Sequence, residues 1–114
     1  MNHSIICIKQ RDTPKGQHDY EDLDLVMALA SFDYRIHLIF YGDGVYSLFD
    51  TNIESIYNKR LQALPLFDIN DIWVDETSLN ARKLSPSQLA NNIKLLSSTE
   101  LKQLLNNSLA VYTL

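Results

Sequence analysis

The run Ile5-Ile6-Cys7-Ile8 holds four consecutive apolar residues, three of them β-branched, with polar residues on both sides. A strand with one wet face would alternate between apolar and polar positions. This one does not, so it reads as a strand buried on both faces, the habit of a parallel sheet covered by helices. Gln10 to Asp19 is polar, contains Pro14 and Gly16, and reads as a loop. Asp19 is placed to cap a helix from Tyr20 to about Ser31, with Glu21 and Asp22 near its electropositive first turn. Leu23, Val26, Met27 and Ala30 share one face of that helix. A second strand runs from Tyr34 to Tyr41, centred on Ile36-His37-Leu38-Ile39-Phe40, and Gly42-Asp43-Gly44 breaks it.

The pattern repeats downstream. Val45 to Phe49 suits one short helical turn. Ser55 to Leu64 reads as a longer helix stopped before Pro65, whose ring removes a donor and crowds the preceding turn. Ile69 to Val74 is a third strand and carries the single Trp. Ser85-Pro86-Ser87-Gln88 joins a capping serine to a Pro at the first helical position, the start of a short helix or turn. Ile93-Lys94-Leu95-Leu96 is a short fourth strand, although a buried helical turn has the same pattern. Ser97-Ser98-Thr99-Glu100 is a capping box opening a helix with Leu101, Leu104 and Leu105, and Leu109-Ala110-Val111-Tyr112 is a fifth strand. Strands alternating with helical stretches mean an α/β fold with a largely parallel sheet and right-handed crossovers.

Composition bounds the function classes. At 114 residues and 46% apolar content, residues 1–114 make one domain with a real core. One Cys excludes an internal disulfide framework or a cysteine-rich zinc site, and fits a reducing compartment. Ten basic against 14 acidic residues give a net charge of −4, which argues against a chain that grips nucleic acid by itself. Met1-Asn2-His3-Ser4 leads straight into the first strand without a secretory-type apolar stretch, and no apolar run approaches the roughly 20 residues of a membrane span. A cytoplasmic protein with no membrane contact is the expectation.

Ligands of open α/β sheets gather beyond the carboxyl ends of the strands. Those ends present Gln10-Arg11-Asp12, Gly42-Asp43-Gly44 and Asp75-Glu76. Gly-Asp-Gly is too short to cradle a phosphate and matches no nucleotide fingerprint, so no cofactor is implied. Asp43, Asp75 and Glu76 could converge on a magnesium ion, but the design lacks the paired acids after the first strand and a Lys after the last; solvated rim acids are the plainer reading. His3, His18 and His37 lack a partner at ligand spacing, and His37 alternates with apolar neighbours as a satisfied, half-buried residue would. Cys7, mid-strand between two isoleucines, reads as an inert core thiol. Aromatics gather in the middle third: Tyr46, Phe49, Tyr57, Phe67 and Trp73. Core packing accounts for most of them. Val45, Tyr46 and Phe49 follow a turn, and they are the candidates for a partner interface.

The order of the segments carries a resemblance. Asp22-Leu23-Asp24-Leu25-Val26-Met27-Ala28-Leu29-Ala30-Ser31-Phe32 precedes Gly42-Asp43-Gly44-Val45-Tyr46-Ser47-Leu48-Phe49. Leu64-Pro65-Leu66-Phe67-Asp68-Ile69, Ile72-Trp73-Val74 and Ser78-Leu79 follow at matching distances. Over nearly the whole chain this resembles the DsrE/DsrF-like sulfur-relay family, in particular its TusC/DsrF branch. The resemblance implies a three-layer α/β/α domain whose five-stranded parallel sheet has the order 4-3-2-1-5. It implies assembly with TusB-like and TusD-like subunits into a dimer of heterotrimers. Such a complex passes persulfide sulfur toward a TusE-like acceptor for 2-thiolation of the tRNA wobble uridine; the related DsrEFH complex serves sulfur trafficking in sulfur-oxidising bacteria.

The family's sulfur-carrying Cys belongs to the TusD/DsrE-type chain, near the carboxyl end of the third strand or just after it. Here that stretch is Ile72-Trp73-Val74-Asp75-Glu76-Thr77-Ser78, without Cys, and Cys7 does not match the position. The role implied is a non-catalytic subunit, with tRNA contact left to its partners. Pro65 stands where relatives often carry Gly; both stop a helix. The rival readings are a stand-alone small α/β enzyme or ligand-binding domain using the Asp43/Asp75/Glu76 rim, and a stand-alone homo-oligomer of another role.

Overall fold

Ile5 to Ile8 form the middle of β1 (Ser4–Lys9), a strand paired on both sides, as an unbroken apolar run requires. The computed structural model describes residues 4–12, 21–49, 56–90 and 92–114. The other strands are β2 (Arg35–Phe40), β3 (Asp71–Asp75), β4 (Ile93–Leu96) and β5 (Ala110–Thr113). They make one sheet in the order β4-β3-β2-β1-β5, with every neighbouring pair parallel. Helices α1 (Glu21–Ala30), α2 (Ile56–Ala63), α3 (Glu76–Ala81) and α4 (Ser98–Asn106) connect them, with 3-10 segments at Gly42–Phe49, Leu64–Phe67 and Pro86–Gln88.

The register sorts the side chains. Cys7 lies opposite Leu38, and Leu38 opposite Ile72, so these residues line one face. Leu23 and Val26 of α1, Tyr57 and Leu61 of α2, and Leu79 of α3 bury that face in the main core. Ile6, Ile39 and Leu96 line the other face, where Trp73 and the α4 residues Leu101 and Leu104 pack. The result is α/β/α in three unequal layers. Among the described residues three helices cover one face and α4 alone covers the other.

Two contacts fix the carboxyl end of β1. Lys9 Nζ lies 2.9 Å from Asp22 Oδ2, a nearly buried ion pair that ties β1 to α1. Gly44 passes so close to Lys9 that a Cβ there would sit 2.0 Å from the Lys9 carbonyl oxygen; only glycine fits.

Several boundaries differ from the sequence expectations. The turn expected from Val45 is an eight-residue 3-10 segment that begins at Gly42. Pro65 does not end the chain's winding at α2, because the 3-10 segment Leu64–Phe67 follows directly, with Asp68 at φ 62 as its cap. That segment delays β3 to Asp71, leaving the buried Ile69 ahead of the strand. Helix α3, absent from the sequence reading, fills the stretch after β3. Ile93 to Leu96 is a strand, and Ser97 closes both halves of its capping box with Glu100. The expected cap at Asp19, the helix starts at Tyr20 and Ser55, and His3 and His18 lie outside the described residues.

Candidate functional site

The carboxyl end of the sheet is a hydrogen-bonded platform. Asp75, 3% exposed, caps α3: its Oδ2 accepts from the backbone N–H of Ser78 (3.0 Å) and from Ser78 Oγ (2.6 Å). Ser78 Oγ accepts in turn from the Gly42 backbone N–H at 2.9 Å, which joins the cap of α3 to the segment after β2. Arg82 completes the link. Its Nε and Nη2 donate to Asp43 Oδ1 at 3.1 and 2.9 Å, and its Nη1 donates to the Ser78 carbonyl at 3.1 Å. The guanidinium stands 5.9 Å from the centre of the Tyr46 ring.

This network corrects the expectation of an acidic rim. Asp75 is not solvated; it is buried, its carboxylate satisfied by the backbone N–H and the hydroxyl of Ser78. Asp43 faces Arg82, and Glu76 points to solvent in the first turn of α3. The three carboxylates are thus drawn to three different tasks. Among the described residues no group of three or more His, Cys, Asp or Glu side chains could hold a metal ion.

The interface candidates also separate. Val45 is 0% exposed and part of the main core, so it does not share an outward stripe with Tyr46. Phe49 is half-buried against the same core. Tyr46 is 40% exposed and stands on the platform beside Arg82.

Cys7 is fully buried, and burial pushes its thiol up to about 11. At neutral pH it is protonated and out of reach of a sulfur donor.

One polar group escaped the sequence reading. On the α4 side, Trp73 Nε1 donates to His37 Nδ1 at 3.1 Å, with the rings 6.3 Å apart and stacked. Arg35 clasps Asp71 through Nε and Nη2 (2.8 and 3.1 Å), and Lys94 Nζ lies 3.4 Å from Asp71 and 4.4 Å from the Trp73 ring centre. Burial lowers the His37 pKa below its ordinary value; Asp71 opposes this, and Arg35 and Lys94 reinforce it. For Asp71 burial works upward, but the Arg35 hydrogen bond and the charges of His37, Arg35 and Lys94 outweigh it and hold the carboxyl below its ordinary value. Beside Trp73 a shallow cavity of about 250 Å³ opens between β4 and α4, lined by Leu96, Glu100, Gln103, Leu104 and Asn107. That is below the roughly 300–1,000 Å³ of ordinary small-molecule sites. The only sequence hint was the position of His37 and Trp73 on adjacent strands of like facing.

Residues 4–114 match the DsrE/DsrF-like family. A Protein TusC homolog from Pseudomonas aeruginosa is 29% identical over 119 residues, covering 100% of both chains. The intracellular sulfur oxidation protein DsrF from Allochromatium vinosum is 28% identical over 123 residues, covering 90% of each. Among solved structures, the crystal structure of the ychN protein from E. coli superposes with a TM-score of 0.76 over 100% of both chains at 20% identity, a likeness of fold.

Proposed function

Because the chain belongs to the DsrE/DsrF-like family, we propose that it is a non-catalytic subunit of a sulfur-relay complex that supplies 2-thiolation of the tRNA wobble uridine. The observation that carries this reading is the state of its single thiol. Persulfide transfer needs an accessible thiolate, and Cys7 is fully buried with its pKa pushed up to about 11. The stretch where the resemblance puts a carrier cysteine holds Asp75, whose carboxylate is spent on capping α3. A full-length relative named TusC homolog supports membership in the relay.

The partners in this reading are TusB-like and TusD-like chains in a dimer of heterotrimers, with a TusE-like acceptor reached through the complex. Contact with tRNA falls to those partners, in keeping with this chain's net charge of −4. The complex works in the cytoplasm; among the described residues no helix is long and apolar enough to cross a membrane. Likeness to a DsrF protein favours a second reading, the same subunit role in sulfur oxidation.

Tyr46 is the assembly contact of this reading. It is exposed, aromatic and held by Arg82, the combination that makes a desolvated anchor. Co-expression with the TusB-like and TusD-like chains of the same genome tests both points. A defined heteromer is expected, and Tyr46→Ala weakens it about tenfold or more while leaving the melting of the isolated chain unchanged. Lost melting with intact assembly would move Tyr46 into support of the fold. Deleting the gene should abolish wobble 2-thiolation; retained thiolation with impaired sulfur oxidation would favour the second reading.

A further inference from the structure

Three strongly exposed large apolar side chains lie at the opposite end of the sheet from Tyr46. Leu66 is 85% exposed, Phe32 69% and Phe67 52%. Phe32 follows α1 just before β2, and Leu66 and Phe67 sit in the 3-10 segment before β3; β2 and β3 are parallel neighbours. Both segments therefore meet at the amino end of the sheet, where α1 also touches the Leu64–Phe67 turn. The backbone of both segments is held. Phe32 N–H donates to the Leu29 carbonyl, and the turn before β3 is closed by Asp68 N–H to the Pro65 carbonyl and Ile69 N–H to the Leu64 carbonyl.

The two segments share a device. Each exposed Phe is followed by an exposed Asp in the left-handed region, Asp33 at φ 66 and Asp68 at φ 62. Such a backbone costs energy for any residue with a Cβ, and Asp and Asn bear it best. Twice, the chain turns back on a left-handed Asp and leaves a Phe facing water with a carboxylate beside it. Single exposed apolar residues are ordinary, but three on adjoining turns are a patch of the kind that marks a protein contact.

We infer that Phe32, Leu66 and Phe67, with Asp33 and Asp68 at their rim, form a second docking surface, which takes a partner chain presenting an apolar patch bordered by Lys or Arg. Charge decides against a second copy of this chain. Two copies meeting through this surface about a twofold axis would set Asp33 and Asp68 against the same carboxylates, in a molecule already at −4. A basic-rimmed partner meets the carboxylates with opposite charge. The proposal rests on the subunit reading for the identity of that partner, the TusB-like or the TusD-like chain. Because β2 is six residues long, this surface and Tyr46 stand about 20 Å apart along the strands, room for two different neighbours.

The test measures assembly of the chain with its TusB-like and TusD-like partners by light scattering and by surface binding at two salt concentrations. The variants are Leu66→Glu with Phe32→Glu, and separately Asp33→Asn with Asp68→Asn, which keeps the left-handed turns and removes their charge. Wild-type chain forms the heteromer. The Glu pair binds one of the two partners about tenfold weaker or worse, with the melting of the isolated chain kept, as burying a new charge in a contact demands. The Asn pair slows association with that partner and flattens its salt dependence. Assembly of the Glu pair at wild-type affinity overturns the surface while leaving the subunit reading standing. Failure of the wild-type chain to assemble overturns the subunit reading, and the partner assignment with it. Self-association of the chain alone that the Glu pair abolishes overturns the choice of a foreign partner.

Discussion

His37 keeps its place through one neighbour's hydrogen bond. Trp73 donates to Nδ1, which puts the ring proton on Nε2 and leaves a neutral imidazole between apolar strand residues. Burial lowers its folded pKa below the ordinary 6.5. The unfolded chain therefore binds a proton more readily between the folded value and about 6.5. Stability from this residue is complete above that range and is lost as pH falls through the folded value. Urea unfolding from pH 7.5 to 5 should show stability declining toward acid, by at most about 1.4 kcal/mol per pH unit for one proton, and His37→Gln should flatten the decline. Equal slopes for both proteins would remove His37 from the pH response. Asp71 acts only at more acid pH, because its carboxyl is held below its ordinary value. That His37 is a satisfied inward residue was legible in its alternation with apolar neighbours. Its partner was not: Trp73 sits diagonally across from it, one step past Asp71 on the same face, and a diagonal follows only once the register is known.

At the scale of elements, the capped helix α3 is the part that orders the carboxyl end. Asp75 receives two donors from Ser78, and Ser78 reaches Gly42, so one carboxylate fastens β3, α3 and the segment after β2. Asp75→Ala removes the cap and leaves the Ser78 hydroxyl without its acceptor. The expected cost is about 2 kcal/mol or more in chemical denaturation, with Asp75→Asn recovering part of it. A wild-type midpoint for Asp75→Ala would show that the platform stands without the cap. Six residues are too few to display helical periodicity, so α3 was invisible in the sequence, and Asp75-Glu76 looked like loop acids. The first strands and α4 were legible because their signals are local: apolar runs rich in β-branched residues, and a capping box at Ser97 and Glu100, whereas Ile93 to Leu96 could equally have been a helical turn. Val45 was misread for a related reason. A residue just after a turn can wind outward or inward, and the eight-residue 3-10 segment takes it inward.

For the whole molecule, the sheet order and the layers followed from the resemblance together with the alternation of elements, and the structure has both. The exposed patch at Phe32, Leu66 and Phe67 was not legible, since an apolar residue at a turn has the same letter whether it faces core or water. What the fold does with its one cysteine decides the account. Cys7 lies in β1, an interior strand between β2 and β5 and under the helices of the main core, where neither donor nor acceptor of sulfur can reach it. The direct test replaces Cys7 by Ala, a change that costs roughly 1 kcal/mol of stability. The variant is assembled with the TusB-like and TusD-like chains, and transfer of labelled sulfur through the complex to tRNA is measured. Transfer at the wild-type rate is the predicted result; a well-folded Cys7→Ala complex that no longer transfers sulfur would contradict it.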